Sequence, residues 1–406
     1  MSVDSAVSSE SAERKPLSIA YVIPRYGVEV IGGAESAARQ FAERLALRGH
    51  AVTVLTTTAK DSDTWSPHYA SGSEMINGVR VHRFPIDSGR HSGFAAYAGR
   101  TLFAPWAATA AESSHFIELQ GPVSQALIEA IAGCTSDVIA FYPYLFHPTV
   151  EGIKHATGRA VLHPAAHDEP AVYLPIFAEV FEQADLLIYH TDSEAEFVSD
   201  HFKVAATPAV TLGLGVDPPP SSINRSLLRR WSLENRRYAL CLGRVDGHKG
   251  TSMLGSYFIN YRNRSTTDLA MVFAGPTVVS PGEHSDLIVT GPVSEEEKWA
   301  LIDGASFLVQ PSYFESYSIV LFEAWSLSKP VLVNGACEVT RRHVERSGGG
   351  LVFSSYPSFE VALDLVLDDE VLRNDLGERG RLYCNDVTWD KVLDRYVGEL
   401  ERYFRS

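Results

Sequence analysis

The chain has 406 residues, 45% of them hydrophobic and 21% charged, a globular composition long enough for two domains or more. Its formal net charge of −15 argues against binding a nucleic-acid phosphate backbone, and against docking on an anionic membrane except through a local basic patch. No apolar run reaches the ~20 residues with which a helix crosses a bilayer, so no transmembrane segment is expected, and peripheral membrane contact stays open. Residues 1–16 are polar and Ser-rich and read as a disordered tail rather than a secretion signal, which points to the cytoplasm. Cys134, Cys241, Cys337 and Cys384 lie far apart with no C-x-x-C pair, so they read as reduced structural thiols. Arginine outnumbers lysine and alanine is abundant, a bias that suggests a GC-rich bacterial genome.

From the start, strands are predicted at 17–23, 51–57, 79–84, 137–142, 160–163 and 186–190, and helices at 34–48, 123–132, 149–156 and 193–202. Alternation at this spacing implies βαβ units and a parallel sheet covered by helices on both faces. Residues 87–120 fit it less well; their Ala-rich helical stretches and aromatics read as an insertion that shapes an acceptor pocket. The Pro-rich 217–222 is the clearest linker, since proline continues neither element. A second alternating series follows, with strands at 238–242, 269–274, 287–290, 307–310, 330–333 and 350–353. Helices are predicted at 251–262 and 295–304, the latter opening on the capping-box pattern Ser294–Glu297. An amphipathic helix from Thr388-Trp389-Asp390 to about Phe404 closes the chain. Two such sheets imply a cleft lined by the carboxyl ends of both sets of strands, where ligands of open α/β sheets bind.

The motifs fall at strand-to-helix turns. Glu315 lies in the turn after strand 307–310, and Glu323 within the first turns of the helix that follows. Between them are the free N–H groups of a helix N-terminus, which favour an anion. A carboxylate repels phosphate, so the two glutamates suit sugar hydroxyls, and the site reads as one for a molecule with both phosphate and sugar. Upstream, Gly243-Arg244-Val245-Asp246-Gly247-His248-Lys249-Gly250 leaves strand 238–242. Arg244 as a fork and Lys249 as a point charge suit a diphosphate. Gly32-Gly33, before the first helix, lets backbone approach a phosphate closely. His167, among fourteen histidines, stands at the end of strand 160–163, with Asp168 beside it to orient the imidazole. Asp61-Ser62-Asp63 has the look of a metal motif but sits in a polar loop of the wrong half, and is read as solvated.

Gly-Arg-x-x-x-x-Lys-Gly at 243–250 followed by Glu315-x7-Glu323 resembles the donor half of the glycosyltransferase family 4 enzymes, retaining transferases of the GT-B fold. The N-terminal half, with buried strand Ile19–Ile23, the Gly32-Gly33 loop and a long helix to Arg48, begins as that family does. The resemblance runs from about Leu17 to Phe404. It implies α/β architecture: two Rossmann-like domains with parallel sheets facing across a cleft. An acceptor domain spans 17–216, a donor domain 217–386, and the C-terminal helix (387–406) crosses back to complete the first. It implies that Gly32 and Gly33 meet the donor diphosphate or the reacting sugar, and that His167 contacts the donor sugar near the bond being broken. Glu315 holds hydroxyls of that sugar and Glu323 the ribose, while Val293, Ser316, Tyr317 and Ser318 complete the donor contacts. The commoner pattern has glycines after the first glutamate, where this chain has Ser316 and Ser318; the added side chains are expected to narrow the pocket.

The implied reaction moves a hexosyl or deoxyhexosyl group, with retention, from a nucleotide-diphospho-sugar to an acceptor hydroxyl. The acceptor is a sugar, a lipid-linked or a natural-product molecule in glycan, glycolipid or natural-product biosynthesis. No cofactor and no metal are expected, because Arg244 and Lys249 can offset the leaving diphosphate. The alternatives are a nucleotide-sugar epimerase of the same fold and a non-catalytic nucleotide-sugar-binding protein.

Overall fold

A computed structural model describes residues 15–30 and 32–405 of the chain. The polar tail expected over 1–16 therefore lies, up to residue 14, outside the described residues. The first series comprises β1 (Ser18–Val22), α1 (Gly33–Leu47), β2 (Ala51–Thr57), β3 (Gly72–Ile76), β4 (Val79–Phe84), α2 (Phe94–Thr101) and α3 (Ala110–Gln120). It continues through α4 (Gln125–Ala132), β5 (Val138–Phe141), α5 (His147–Gly152), β6 (Ala160–Leu162), α6 (Ile176–Glu182), β7 (Leu186–Tyr189), α7 (Asp192–His201) and β8 (Ala209–Thr211). The second comprises β9 (Tyr238–Leu242), α8 (Thr251–Arg264), β10 (Ala270–Ala274), β11 (Leu287–Gly291), α9 (Glu295–Gly304), β12 (Phe307–Gln310) and α10 (Ile319–Ser326). β13 (Val331–Asn334), α11 (Glu338–Ser347), β14 (Gly350–Phe353), α12 (Tyr356–Asp368), α13 (Glu370–Cys384) and α14 (Trp389–Phe404) complete it.

The eight-stranded sheet has the order β3-β4-β2-β1-β5-β6-β7-β8 and the six-stranded sheet β11-β10-β9-β12-β13-β14. β1 pairs in parallel with β2 and β5, as does β9 with β10 and β12. The strand β3, absent from the sequence expectation, is an exposed antiparallel edge on β4. Its signal was the Asn77-Gly78 turn, both residues at positive φ (47° and 83°), the pair a two-residue hairpin favours. In the six-stranded unit, Leu254 and Phe258 of α8 and Phe359, Leu363 and Val366 of α12 pack with Ala239, Met271, Phe273 and Val309 of the sheet. Each such aliphatic or aromatic side chain taken from water contributes roughly 1.5–3 kcal/mol.

Residues 87–120, expected as an insertion, hold α2 and α3, joined by a Phe94–Phe116 ring contact at 5.2 Å and a Tyr97–His115 contact at 5.1 Å. α14 returns to the eight-stranded sheet: Arg395 donates to the Thr211 carbonyl of β8 at 2.8 Å, and Trp389 lies against Gly215, where a Cβ would come within 2.5 Å of it. Compactness divides the chain differently from the two sheets. One unit runs to His163 and adds Leu174–Leu186 and the last residues from Phe404; the other holds Pro164–Tyr173 and Leu187–Tyr403.

Candidate active site

The six-stranded sheet reverses its order between β9 and β12, and the loops at such a switch point diverge to leave room for a ligand at the carboxyl ends of the strands. The two loops there are the Gly243–Gly250 turn and the Pro311–Ser318 turn. They touch at Gly250, which has φ 70° and whose added Cβ would meet the Pro311 carbonyl oxygen at 2.3 Å, so glycine is required on both counts. The contact brings together residues 66 apart: Lys249 Nζ donates to Glu315 Oε1 at 2.7 Å. Gln310, the last residue of β12, donates to the same oxygen at 3.2 Å and to Ser318 Oγ at 3.0 Å.

Arg244 is 58% exposed and ion-pairs with the nearly buried Asp246. Burial alone would raise the Asp246 carboxyl, but the Lys249 amide (2.8 Å) and the Arg244 charge outweigh it and hold the group below its ordinary value. Asp246 therefore ties together the turn that presents both cations. With five N–H donors, Arg244 can keep that bond and still offer a fork.

Glu323, in α10, is held by Lys298 Nζ at 2.7 Å, which also meets Glu295 at 2.7 Å. Burial pushes the Glu323 carboxyl above its usual range, and Lys298 draws it back only in part. Burial would lower Lys298, yet Glu323 and Glu295 keep it above its ordinary value. Both glutamates, expected free for hydroxyls, are thus neutralised by lysines, one of which, Lys298, the sequence reading missed. Its trace was a lysine one turn after the acidic start of α9.

Side-chain caps close α3, α4, α7, α9, α12 and α13. The helices α1, α8, α10 and α11 begin without one. The α8 and α10 starts flank the Lys249–Glu315 pair, so their leading N–H groups are not claimed by a capping side chain. Ser318, the N-cap of α10, has φ 65°, and its hydroxyl turns to Gln310 rather than outward, so it does not narrow the site as expected. Ser316 is half-buried in the same turn. Tyr317 is 4% exposed, its ring stacked on Phe322 at 4.9 Å and its hydroxyl donating to the Leu214 carbonyl at 3.0 Å. The side chain is committed to the interior, which leaves the backbone as what Tyr317 can offer a ligand. Val293 is half-buried, directly before the Ser294 cap of α9.

His167 lines a cavity of about 180 Å³ with Phe314, Glu315, Glu194, Cys337 and Val339. Its ring stands 6.0 Å from that of Phe314, which is 53% exposed. The expectation that Asp168 orients the imidazole is not met: Asp168 accepts the Tyr173 hydroxyl at 2.7 Å, and the nearest carboxylate to His167 Nε2 is Glu169 at 3.7 Å. Tyr173 is pushed up to about 12 by burial and by that bond. In the other unit, Gly32 leads into α1, and a Cβ there would meet Glu35 Oε2 at 2.0 Å. Glu35 is paired with Arg25 at 2.6 Å, so Gly32 makes space for an ion pair, while Gly33 faces open space. Asp61 closes its own loop by accepting the Thr64 amide at 3.1 Å.

The switch point thus gathers Arg244, Lys249, Glu315 and two helix starts without capping side chains. A family model described as a glycosyl transferase 4-like domain matches residues 32–215, and one described as glycosyl transferases group 1 matches residues 228–383. The chain is 26% identical over 268 residues to a D-inositol 3-phosphate glycosyltransferase of Salinispora arenicola, a match that takes in 59% of each protein. It thus spans under two thirds of that relative's length. Among solved structures it is similar to sucrose-phosphate synthase from Thermosynechococcus elongatus, with a TM-score of 0.70, 18% identity and coverage of 95% of this chain and 98% of the other. Anabaena HepE in complex with UDP-glucose matches with a TM-score of 0.67, 13% identity and coverage of 95% and 100%. At these identities the likeness shows the fold alone. With both halves matched by family models and both sheets those of that fold, the chain belongs to the family 4-like glycosyltransferases of the GT-B fold.

Proposed function

We propose that this protein transfers a hexosyl or deoxyhexosyl group from a nucleotide-diphospho-sugar to an acceptor hydroxyl, with retention at the anomeric carbon and without a metal. The observation that carries the reading is the meeting of Lys249 and Glu315 across two uncapped helix starts, with Arg244 on the same turn. Arg244 and Lys249 take the charge that develops on the leaving diphosphate as the anomeric C–O bond breaks. Glu315 holds sugar hydroxyls and favours the oxocarbenium-like charge. The acceptor oxygen bonds to the anomeric carbon from the face the diphosphate vacates, and its proton passes to a phosphate oxygen. Glu323 takes the ribose, with Lys298 fixing its carboxylate. The backbone of Val293 and of the Ser316–Ser318 turn completes donor binding in this unit, and His167 contacts the sugar.

The UDP-glucose held by HepE makes uridine diphosphate sugars the first donors to try. The inositol phosphate relative makes a small polyol phosphate one of the first acceptors, beside lipid-linked sugars. Thermal shift against nucleotides and nucleotide sugars, then transfer of a labelled sugar in EDTA, tests the reading. Binding stabilises the folded state by mass action, so a donor should raise the melting temperature. A nucleotide sugar that is isomerised but not transferred, or activity lost in EDTA and restored by Mg²⁺, would overturn it.

A further inference from the structure

The turn that carries His167 is held by a carboxylate from another element. After β6 the chain passes through Ala165 at φ 53°, in the left-handed region that alanine avoids. The next amide, that of Ala166, donates to Glu194 Oε1 at 2.8 Å. Glu194 sits in the first turn of α7, is 2% exposed, and accepts the His190 amide on its other oxygen at 2.7 Å. The amides of Ala165 and Thr191 also bear on it. The Thr191 hydroxyl accepts the Glu194 amide at 3.1 Å, which fixes the start of the helix. N–H donors thus surround both oxygens of the ionised carboxyl, so an amide nitrogen in place of either would face another donor. Glu194 also lines the cavity shared by His167, Phe314 and Glu315.

We propose that Glu194 is the positioning residue of this site: from α7 it fixes the strained Ala165–Ala166 turn and thereby sets where the His167 imidazole stands against Phe314 and Glu315. The inference rests on His167 acting on the donor sugar. Glu194 itself does not touch the reacting atoms. Its titratable neighbours are Tyr189 and His190 at the end of β7, His167 and Asp168 on the turn, and Tyr313, Glu315, Cys337 and Glu338 around the cavity. Burial keeps His190 neutral, at about 4, and no cation among the described residues pairs with Glu194. Burial pushes Glu194 itself up to about 7 against the pull of the amides.

The test uses the full chain and compares Glu194→Gln and Glu194→Asp with wild type. At about pH 8.5, where the carboxyl is ionised, the Ala166 amide of Glu194→Gln should exchange its hydrogen roughly tenfold faster or more than in wild type, the cost of one charge-assisted bond, while β9 amides keep their protection. Transfer should lose kcat with donor KM nearly unchanged, and Glu194→Asp, which keeps the charge, should recover part of it. Wild-type protection at Ala166 in Glu194→Gln overturns the proposal. So does loss of protection along the whole chain with kcat and KM falling together, since that marks a structural role only. A His167→Ala enzyme with wild-type turnover instead sinks the reading of His167 on which the proposal rests, whatever Ala166 does.

Discussion

Two turns at the candidate site hold a non-glycine residue in the left-handed region, and they are held there differently. Ser318 (φ 65°) carries a hydroxyl that accepts from Gln310, eight residues earlier on the strand feeding the same turn. Ala165 (φ 53°) has only a methyl group, and its turn is fixed by Glu194, a residue of α7. One turn brings its own support; the other takes it from a helix packed beside it. Strain of this kind costs roughly 1–3 kcal/mol and persists only where neighbours over-determine it. The Glu315 turn should therefore keep its form under substitutions outside the switch point, whereas the His167 turn should be sensitive to α7.

The largest effect should come from the self-supported side. Lys249→Ala removes a charge aimed at the leaving group, and losing one such electrostatic contact costs roughly 2.7–4 kcal/mol of barrier, a fall of about 10²–10³ in kcat. Arg244→Ala should cost less, because its more exposed guanidinium is screened. Steady-state kinetics with a saturating donor checks both. Near-normal turnover in Lys249→Ala would mean that the turn is only a basic loop.

On the other side, Glu194 ties folding to pH. Its carboxyl binds a proton at about 7 when folded and at 4.5 ordinarily, so the native state holds the proton where the unfolded chain has lost it. Its contribution to stability is complete below pH 4.5 and is lost as pH rises through about 7, on the order of 3 kcal/mol in all. Glu194→Gln has no proton to lose. The melting temperature of wild type relative to Glu194→Gln should therefore fall between pH 5 and pH 8. An unchanged difference would show that Glu194 is not titrating in that range.

The same contrast explains what the sequence disclosed. The Gly243–Gly250 and Glu315–Glu323 motifs could be read because their groups lie on contiguous turns after strong apolar strands, and the switch point does the rest. Even there the partners were invisible: nothing in the sequence joins Lys249 to Glu315, or Lys298 to Glu323. Asp168 misled because the residue next in sequence to His167 seemed the natural orienting group, whereas the Tyr173 hydroxyl takes it. Glu194 did leave a trace, the Thr191-x-x-Glu194 capping pattern after an apolar strand. That pattern announces a helix start, and only the fold reveals that the same carboxylate reaches the turn after β6. The edge strand β3 was missed because its face is polar and exposed.

A smaller effect separates the two glutamates. Glu323→Gln should weaken binding of the free nucleoside diphosphate by about tenfold, the worth of one hydrogen bond to a charged group. Glu315→Gln frees Lys249 from its partner, so affinity for the diphosphate should hold or rise while kcat falls. Calorimetry with the nucleoside diphosphate decides. Equal weakening in both variants would mean that Glu315 also serves the nucleotide.

The smallest effect tests the comparison itself. Glycine enters the left-handed region without the Cβ clash, so Ala165→Gly should relieve strain, with part of the gain returned as added freedom of the unfolded chain. A net stabilisation of up to about 1 kcal/mol is expected, read as a rise in melting temperature. Ser318→Gly relieves the same clash but also deletes the hydroxyl that accepts from Gln310, so its net change should lie near zero or below. Combining Ala165→Gly with Glu194→Gln then distinguishes strain from position. If Glu194 served only to offset the Ala165 strain, glycine would restore both stability and kcat to the Gln variant. If Glu194 fixes where the turn stands, glycine should restore stability alone, because a turn relieved of strain but untied from α7 still leaves the His167 imidazole unfixed.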